Sequence, residues 1–249
     1  MDNLISIITR KYDLLLDTHR ASRRFDETRE ALKQHTYEFR EKNRAEVEYE
    51  RSLRRRLDKL TGKGDRLVQL QKETREARAR FEKTTLDWKL QSGIGLELQR
   101  QCDALPSPEE LKTAAMGNPD AQLLLARREV MLCGEMLLPL VQSNLEALEE
   151  YRQQLRGNRM SEVTSAQAHH EVGTAHIGWA SQCAGLLRRM APSLAVLGIP
   201  FEIPAYFVSP AAFIESAAAK HNRLDRANAA LAQVESLQKL AAQWQSLSS

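Results

Sequence analysis

The segment FDETREALKQHTYEF, Phe25 to Phe39, places Phe25, Leu32 and Phe39 seven residues apart among charged and polar neighbours. That spacing is the mark of a helix that buries one narrow stripe against another helix. Outward from it the same phase continues through Leu53 and Leu60, interrupted by Glu46, and then through Leu67, Phe81 and Trp88. From Asn3 to Leu60 there is neither proline nor glycine, which permits a single helix on the order of 85 Å long. The companion positions Thr28, His35, Lys42 and Arg56 are polar. The stripe is therefore narrow and partly wet, and suits a two-helix contact better than a deep core.

Thr61-Gly62-Lys63-Gly64-Asp65 supplies two glycines within four residues, enough backbone freedom for a hairpin tip. A second helix is expected from about Asp65 to Cys102. Ser107-Pro108-Glu109-Glu110 reads as an N-cap, a proline in the first turn and a capping-box glutamate, and Asn118-Pro119-Asp120 repeats the start signal. The helix that follows should reach Arg156, kinked by Pro139, with Leu138, Val141, Leu145, Leu148 and Leu155 on its seam. After Gly157-Asn158, Ser161 can cap a helix to about Met190 that turns Val172, His176, Trp179, Cys183, Leu186 and Met190 inward. A last helix, started by Ser209-Pro210, carries Leu224, Ala227, Leu231, Val234, Ala241 and Trp244. The expected fold is all-α: an elongated bundle or antiparallel coiled coil of five or six long amphipathic helices. Residues 1–103 form a hairpin and residues 104–249 a bundle region. Scarce Gly and Pro agree with this, and the near absence of β-branched and aromatic runs argues against strands.

The net charge of +3 over 249 residues is unevenly spread. Residues 1–90 hold 23 Lys and Arg against 17 Asp and Glu, and residues 91–249 hold 13 against 16. The sharpest basic cluster is at the tip, residues 51–66, where Arg51, Arg55, Lys59 and Lys63 recur every four residues and Arg54, Arg56 and Arg66 surround them. This is the candidate contact for an anionic partner, a phospholipid surface foremost. The simpler reading is a solvated tip offset by Glu48, Glu50, Asp58 and Asp65. Nucleic acid is disfavoured, because neither stacking aromatics nor a DNA-binding motif accompanies the basic residues.

The stretch 191–213 is apolar and holds Pro192, Pro200, Pro204 and Pro210, which argue against a regular helix. Leu197, Ile199, Phe201, Ile203, Tyr206 and Phe207 are its candidate apolar contacts to a partner or membrane, with burial against the bundle as the default. At the start, Ile5, Ile8, Tyr12, Leu15 and Leu16 share a face that suits bundle packing better than a membrane anchor.

No catalytic, nucleotide or metal motif stands out. None of the six histidines has a Glu three residues before it, so neither a metal nor a cofactor is expected. Cys102, Cys133 and Cys183 are odd in number and widely spaced, which fits a reducing compartment. With no signal-like start and no long uncharged apolar run, the expected location is the cytoplasm, with the inner face of a membrane as the alternative. The expected function is that of a non-enzymatic coiled-coil scaffold or adaptor, self-associating with a dimer favoured, and binding a protein partner through another surface. The alternative is a peripheral membrane-binding or membrane-remodelling protein. In architecture alone the long helices and basic tip resemble modules of the BAR or phage-shock-protein kind. A helical pore-forming toxin subunit is a further alternative, against which the four prolines count.

Overall fold

A computed structural model describes residues 2–52, 56, 58, 65–156, 166–215 and 220–247. The described residues are mainly helical with no strand: α1 (Asp2–Arg51), α2 (Asp65–Asp103), α3 (Pro108–Ala114), α4 (Pro119–Arg156), α5 (Ala166–Val196), α6 (Ala205–Val208), α7 (Pro210–Glu215) and α8 (Lys220–Gln245). The expected turn at residues 61–64, the seam residues Leu53 and Leu60, the helix end Gly157-Asn158 and the cap Ser161 lie outside the described residues. An all-α helical bundle is what the chain forms.

The chain divides into two compact units, Asp17–Ala104 and Met1–Leu16 with Leu105–Ser249. Residues 1–16 thus belong with the second half of the chain, where Ile8 and Tyr12 are buried with Leu111, Leu125 and Leu132. Lys11, itself buried, donates from Nζ to the Leu105 carbonyl in the same unit.

In the Asp17–Ala104 unit, α1 and α2 lie side by side. Phe39 stacks on Phe81 at 5.8 Å, and Phe25 meets Trp88 at 5.9 Å. Along α2 the less exposed residues recur at alternate steps of three and four, through Leu70, Thr74, Ala77, Phe81, Thr84 and Trp88. The polar seam positions find one another: His35 Nδ1 lies 2.8 Å from Thr84 Oγ1, and Lys42 Nζ donates to Glu73 at 2.7 Å. The Thr84 hydroxyl spends its only proton on the Arg80 carbonyl, so His35 must be the donor in their bond.

The other unit has a continuous apolar core among α4 to α8. Its helices keep the same alternation: Val130, Leu137, Val141 and Leu148 on α4; Ala180, Cys183, Leu187 and Met190 on α5; Ala230, Val234, Leu237 and Ala241 on α8. Each fully buried leucine contributes roughly 1.5–3 kcal/mol. The seam of α4 therefore closes within one chain. It is rotated from the expected one, since Leu138 and Leu145 are half-buried flanks and the interior line runs through Leu137 and Asn144. On α5 the interior residue is Leu187, with Leu186 and Trp179 half-buried beside it.

Local chemistry sets the helix ends. Ser107 Oγ accepts from the Glu110 N–H while Glu110 Oε2 accepts from the Ser107 N–H at 2.7 Å, a complete capping box for α3. Gly117, at φ 83°, follows that helix, and Asn118 Oδ1 accepts from the Ala121 N–H to start α4. Contrary to the expectation for stretch 191–213, α5 runs through Pro192 to Val196. A proline this near a helix end forfeits one backbone bond without breaking the main run of the helix. The helix ends at Gly198, φ 67°, with the Ile199 N–H returning to the Leu194 carbonyl at 3.0 Å. The helix α4 likewise continues through Pro139.

Candidate functional site

Of the basic residues at the tip, Arg51, Arg56 and Arg66 are exposed, whereas Arg54, Arg55, Lys59 and Lys63 lie outside the described residues. Arg66 reaches Gln69 one turn along α2.

The apolar stretch folds back on the bundle. Tyr206 and Phe207 are wholly buried, in edge-to-face contact with each other at 5.2 Å. Leu197, Ile199, Phe201 and Ile203 are partly buried and pack on the same core, Phe201 edge-on to Trp244 at 5.2 Å. Gln233 Oε1 on α8 accepts from the Tyr206 N–H, tying α6 down. The faces these six side chains would show a partner are thus largely occupied by the chain itself.

Exposed apolar surface is found elsewhere. On α2, Leu86 and Leu90 are 67% and 61% exposed, and Ile94 is 40% exposed. They follow one another at intervals of four residues and so form one ridge. Leu90 stands two positions on from Trp88, a rotation of about 200° on a helix, so the ridge faces away from the stripe that meets α1. Gly93 sits beside it, and a β-carbon there would touch nothing within 4 Å.

A second feature is polar. Glu129 on α4 is 2% exposed, and its carboxylate accepts from the Ser193 hydroxyl at 2.9 Å and pairs with Lys112 at 3.2 Å and Arg189 at 3.5 Å. The four side chains line a cleft of about 290 Å³ whose wall includes Met116, Leu125 and Val196. Burial works against the Lys112 ammonium, but Glu129 and Glu109 outweigh it and hold its pKa above the ordinary lysine value. Lys112 and Arg189 share the one buried carboxylate of Glu129, so the cluster acts first as a clamp between α3, α4 and α5. Nearby, burial pushes the Cys133 thiol up to about 11, and likewise Cys183 up to about 12. Both remain thiols at neutral pH and are poorly suited to nucleophilic chemistry.

A third feature lies in the core. Asn144 Nδ2 donates to the His176 carbonyl at 2.7 Å, and the Tyr206 hydroxyl donates to the same carbonyl at 3.2 Å. The His176 ring, 1% exposed and 4.9 Å from Tyr151, has no hydrogen-bond partner on either nitrogen. Burial lowers its pKa to about 4, so it is neutral at ordinary pH.

Neither Glu129 nor Asn144 is singled out by sequence reasoning. The available signal is weak: each is a polar residue amid the apolar residues of α4. Among the described residues no cluster of His, Cys, Asp or Glu could hold a metal ion, and no helix is long and apolar enough to cross a membrane. No protein-family model, no curated protein and no solved structure matches this chain.

Proposed function

We propose that the protein is a non-enzymatic helical scaffold that acts by self-association and by binding a protein partner. The observation that supports this reading is the pair of long helices α1 and α2, which meet through a half-buried stripe while α2 keeps a ridge of large apolar side chains in water. Exposed apolar ridges on a helix are the usual docking elements of helical assemblies. The polar clusters are built as clamps: Glu129 joins α3, α4 and α5, and Asn144 joins α4, α5 and α6. The test is the solution mass by sedimentation velocity from low to several hundred micromolar. A mass that rises above that of one chain is expected, and a single-chain mass throughout would overturn the self-association reading.

The exposed Arg51, Arg56 and Arg66 favour one second reading, attachment to an anionic membrane surface. Each basic residue near such a surface can add roughly 1 kcal/mol, and the effect is screened by salt. Co-sedimentation with anionic liposomes should then be lost in high salt and in Arg51→Glu with Arg55→Glu. Binding that ignores both changes would remove the basic tip from the function.

A further inference from the structure

The outer ridge of α2 has a mirror pattern about Leu90. Four residues to either side stand Leu86 and Ile94, and seven residues to either side stand Lys83 and Glu97. All five lie within a two-turn reach of Leu90 on roughly the same side of the helix, because steps of four and seven residues rotate by only about 40° and 20° from full turns. Leu86, Leu90, Lys83 and Glu97 are exposed, and Ile94 lies at the edge of the ridge at 40%.

We infer that this ridge is a self-pairing surface, on which α2 of a second copy of the chain packs antiparallel with its Leu90 opposite Leu90. The inference rests on the self-association reading above and names its contact. In this register Leu86 faces the second copy's Ile94, and Lys83 faces its Glu97, each pairing occurring twice by the two-fold symmetry that most homodimers adopt. The charges decide the orientation. A parallel pair would set Lys83 against Lys83 and Glu97 against Glu97, a like-charge arrangement that helical pairs avoid. Glu97 already accepts from Arg100 and Gln101 on its own helix, which holds its carboxyl below the usual carboxylate range and keeps it charged for the exchange.

Gly93 lies between Leu90 and Ile94 and leaves the ridge low at that point, with nothing described within 4 Å of a β-carbon built on it, so a neighbouring helix has room to approach there.

The contact is one helix wide and smaller than the roughly 1,200–2,000 Å² of a stable interface, so association should be weak and visibly concentration-dependent. The experiment compares the full chain with Leu90→Asp, Lys83→Glu, Glu97→Lys and the double exchange by sedimentation, with circular dichroism as a check on folding. These positions are on the surface, so helix content should not change. Leu90→Asp should weaken association about tenfold or more, because it would bury a charge. Each single charge reversal should weaken it and the double exchange should recover it. A short thiol cross-linker should join Lys83→Cys to Glu97→Cys in a mixture of the two, and leave Lys83→Cys alone unlinked. The three native cysteines are buried and should not interfere. If the wild type associates and Leu90→Asp does so equally, this pairing is wrong and the scaffold reading stands. If the wild type is a single chain at every concentration, both fall.

Discussion

Asn144 and His176 lie on neighbouring helices, and the Asn144 side-chain amide donates to the His176 backbone carbonyl at 2.7 Å. The Tyr206 hydroxyl donates to the same oxygen at 3.2 Å and accepts in turn from the Asn144 amide at 3.4 Å. The arrangement satisfies one asparagine donor inside an apolar layer, and fixes α6 over the junction of α4 and α5. It does nothing for the His176 ring, which is packed beside Tyr151 with both nitrogens unpartnered.

The buried imidazole should make stability pH-dependent. An exposed histidine titrates near 6.5 and His176 near 4 in the fold, so between these values the unfolded chain binds a proton that the folded chain does not. Its contribution is therefore complete above pH 6.5 and is lost as the pH falls toward 4, to a total of roughly 3 kcal/mol. Urea unfolding at pH 4.5 and 7.5 should show this loss, and His176→Phe should shrink it. An equal pH dependence in the two proteins would mean that another group is responsible.

Glu129→Ala should cost about 1–3 kcal/mol by removing the acceptor of the Ser193 hydroxyl and the common partner of Lys112 and Arg189. The lower part of that range is expected, because the two cations are 40% and 45% exposed and can rehydrate when the carboxylate is gone. The combined Lys112→Ala and Arg189→Ala protein should be harmed more than the sum of the single changes, since only there does the buried carboxylate lose every cation. Thermal melts of the four proteins would measure this coupling, and strict additivity would refute the clamp.

Gly134→Ala and Gly185→Ala should have opposite signs. A β-carbon on Gly134 would stand 3.2 Å from the Ala241 carbonyl oxygen and 3.3 Å from Trp244 Cβ, so α4 and α8 would have to part, at about 1–3 kcal/mol. At Gly185 nothing lies within 4 Å, and alanine should stabilise the helix by up to about 1 kcal/mol. The two melting temperatures should move in opposite directions, and a rise for Gly134→Ala would show that the helices can yield.

Much of the secondary structure was legible because its causes are local. The Ser107 capping box, the Asn118-Pro119 start and the stripe of Phe25, Phe39, Phe81 and Trp88 each depend on residues within a few turns of one another or on a repeat that needs no partner to be seen. The bundle's register was less so. In α4, Leu137, Leu138, Leu140 and Val141 are all apolar, so adjacent faces of the helix are about equally fit for burial. The approach of α8 at Gly134 and the packing of α5 select the face through Leu137 and Asn144.

The sequence alone therefore determined a helical chain and several helix ends, because capping, proline and glycine act over one or two turns. It did not foresee that α1 stops at Arg51, with a bend at Ser52, short of the uninterrupted run expected to Leu60. Only the tertiary structure decided which apolar residues remain in water and which polar ones are interior. Leu90 stays exposed because α1 already occupies the opposite face of α2, while Phe207 is buried because the chain after Gly198 turns back across the bundle. Glu129 can be buried because Ser193, 64 residues away, brings it a hydroxyl. Such pairings depend on where distant helices meet, and that is a property of the packed chain.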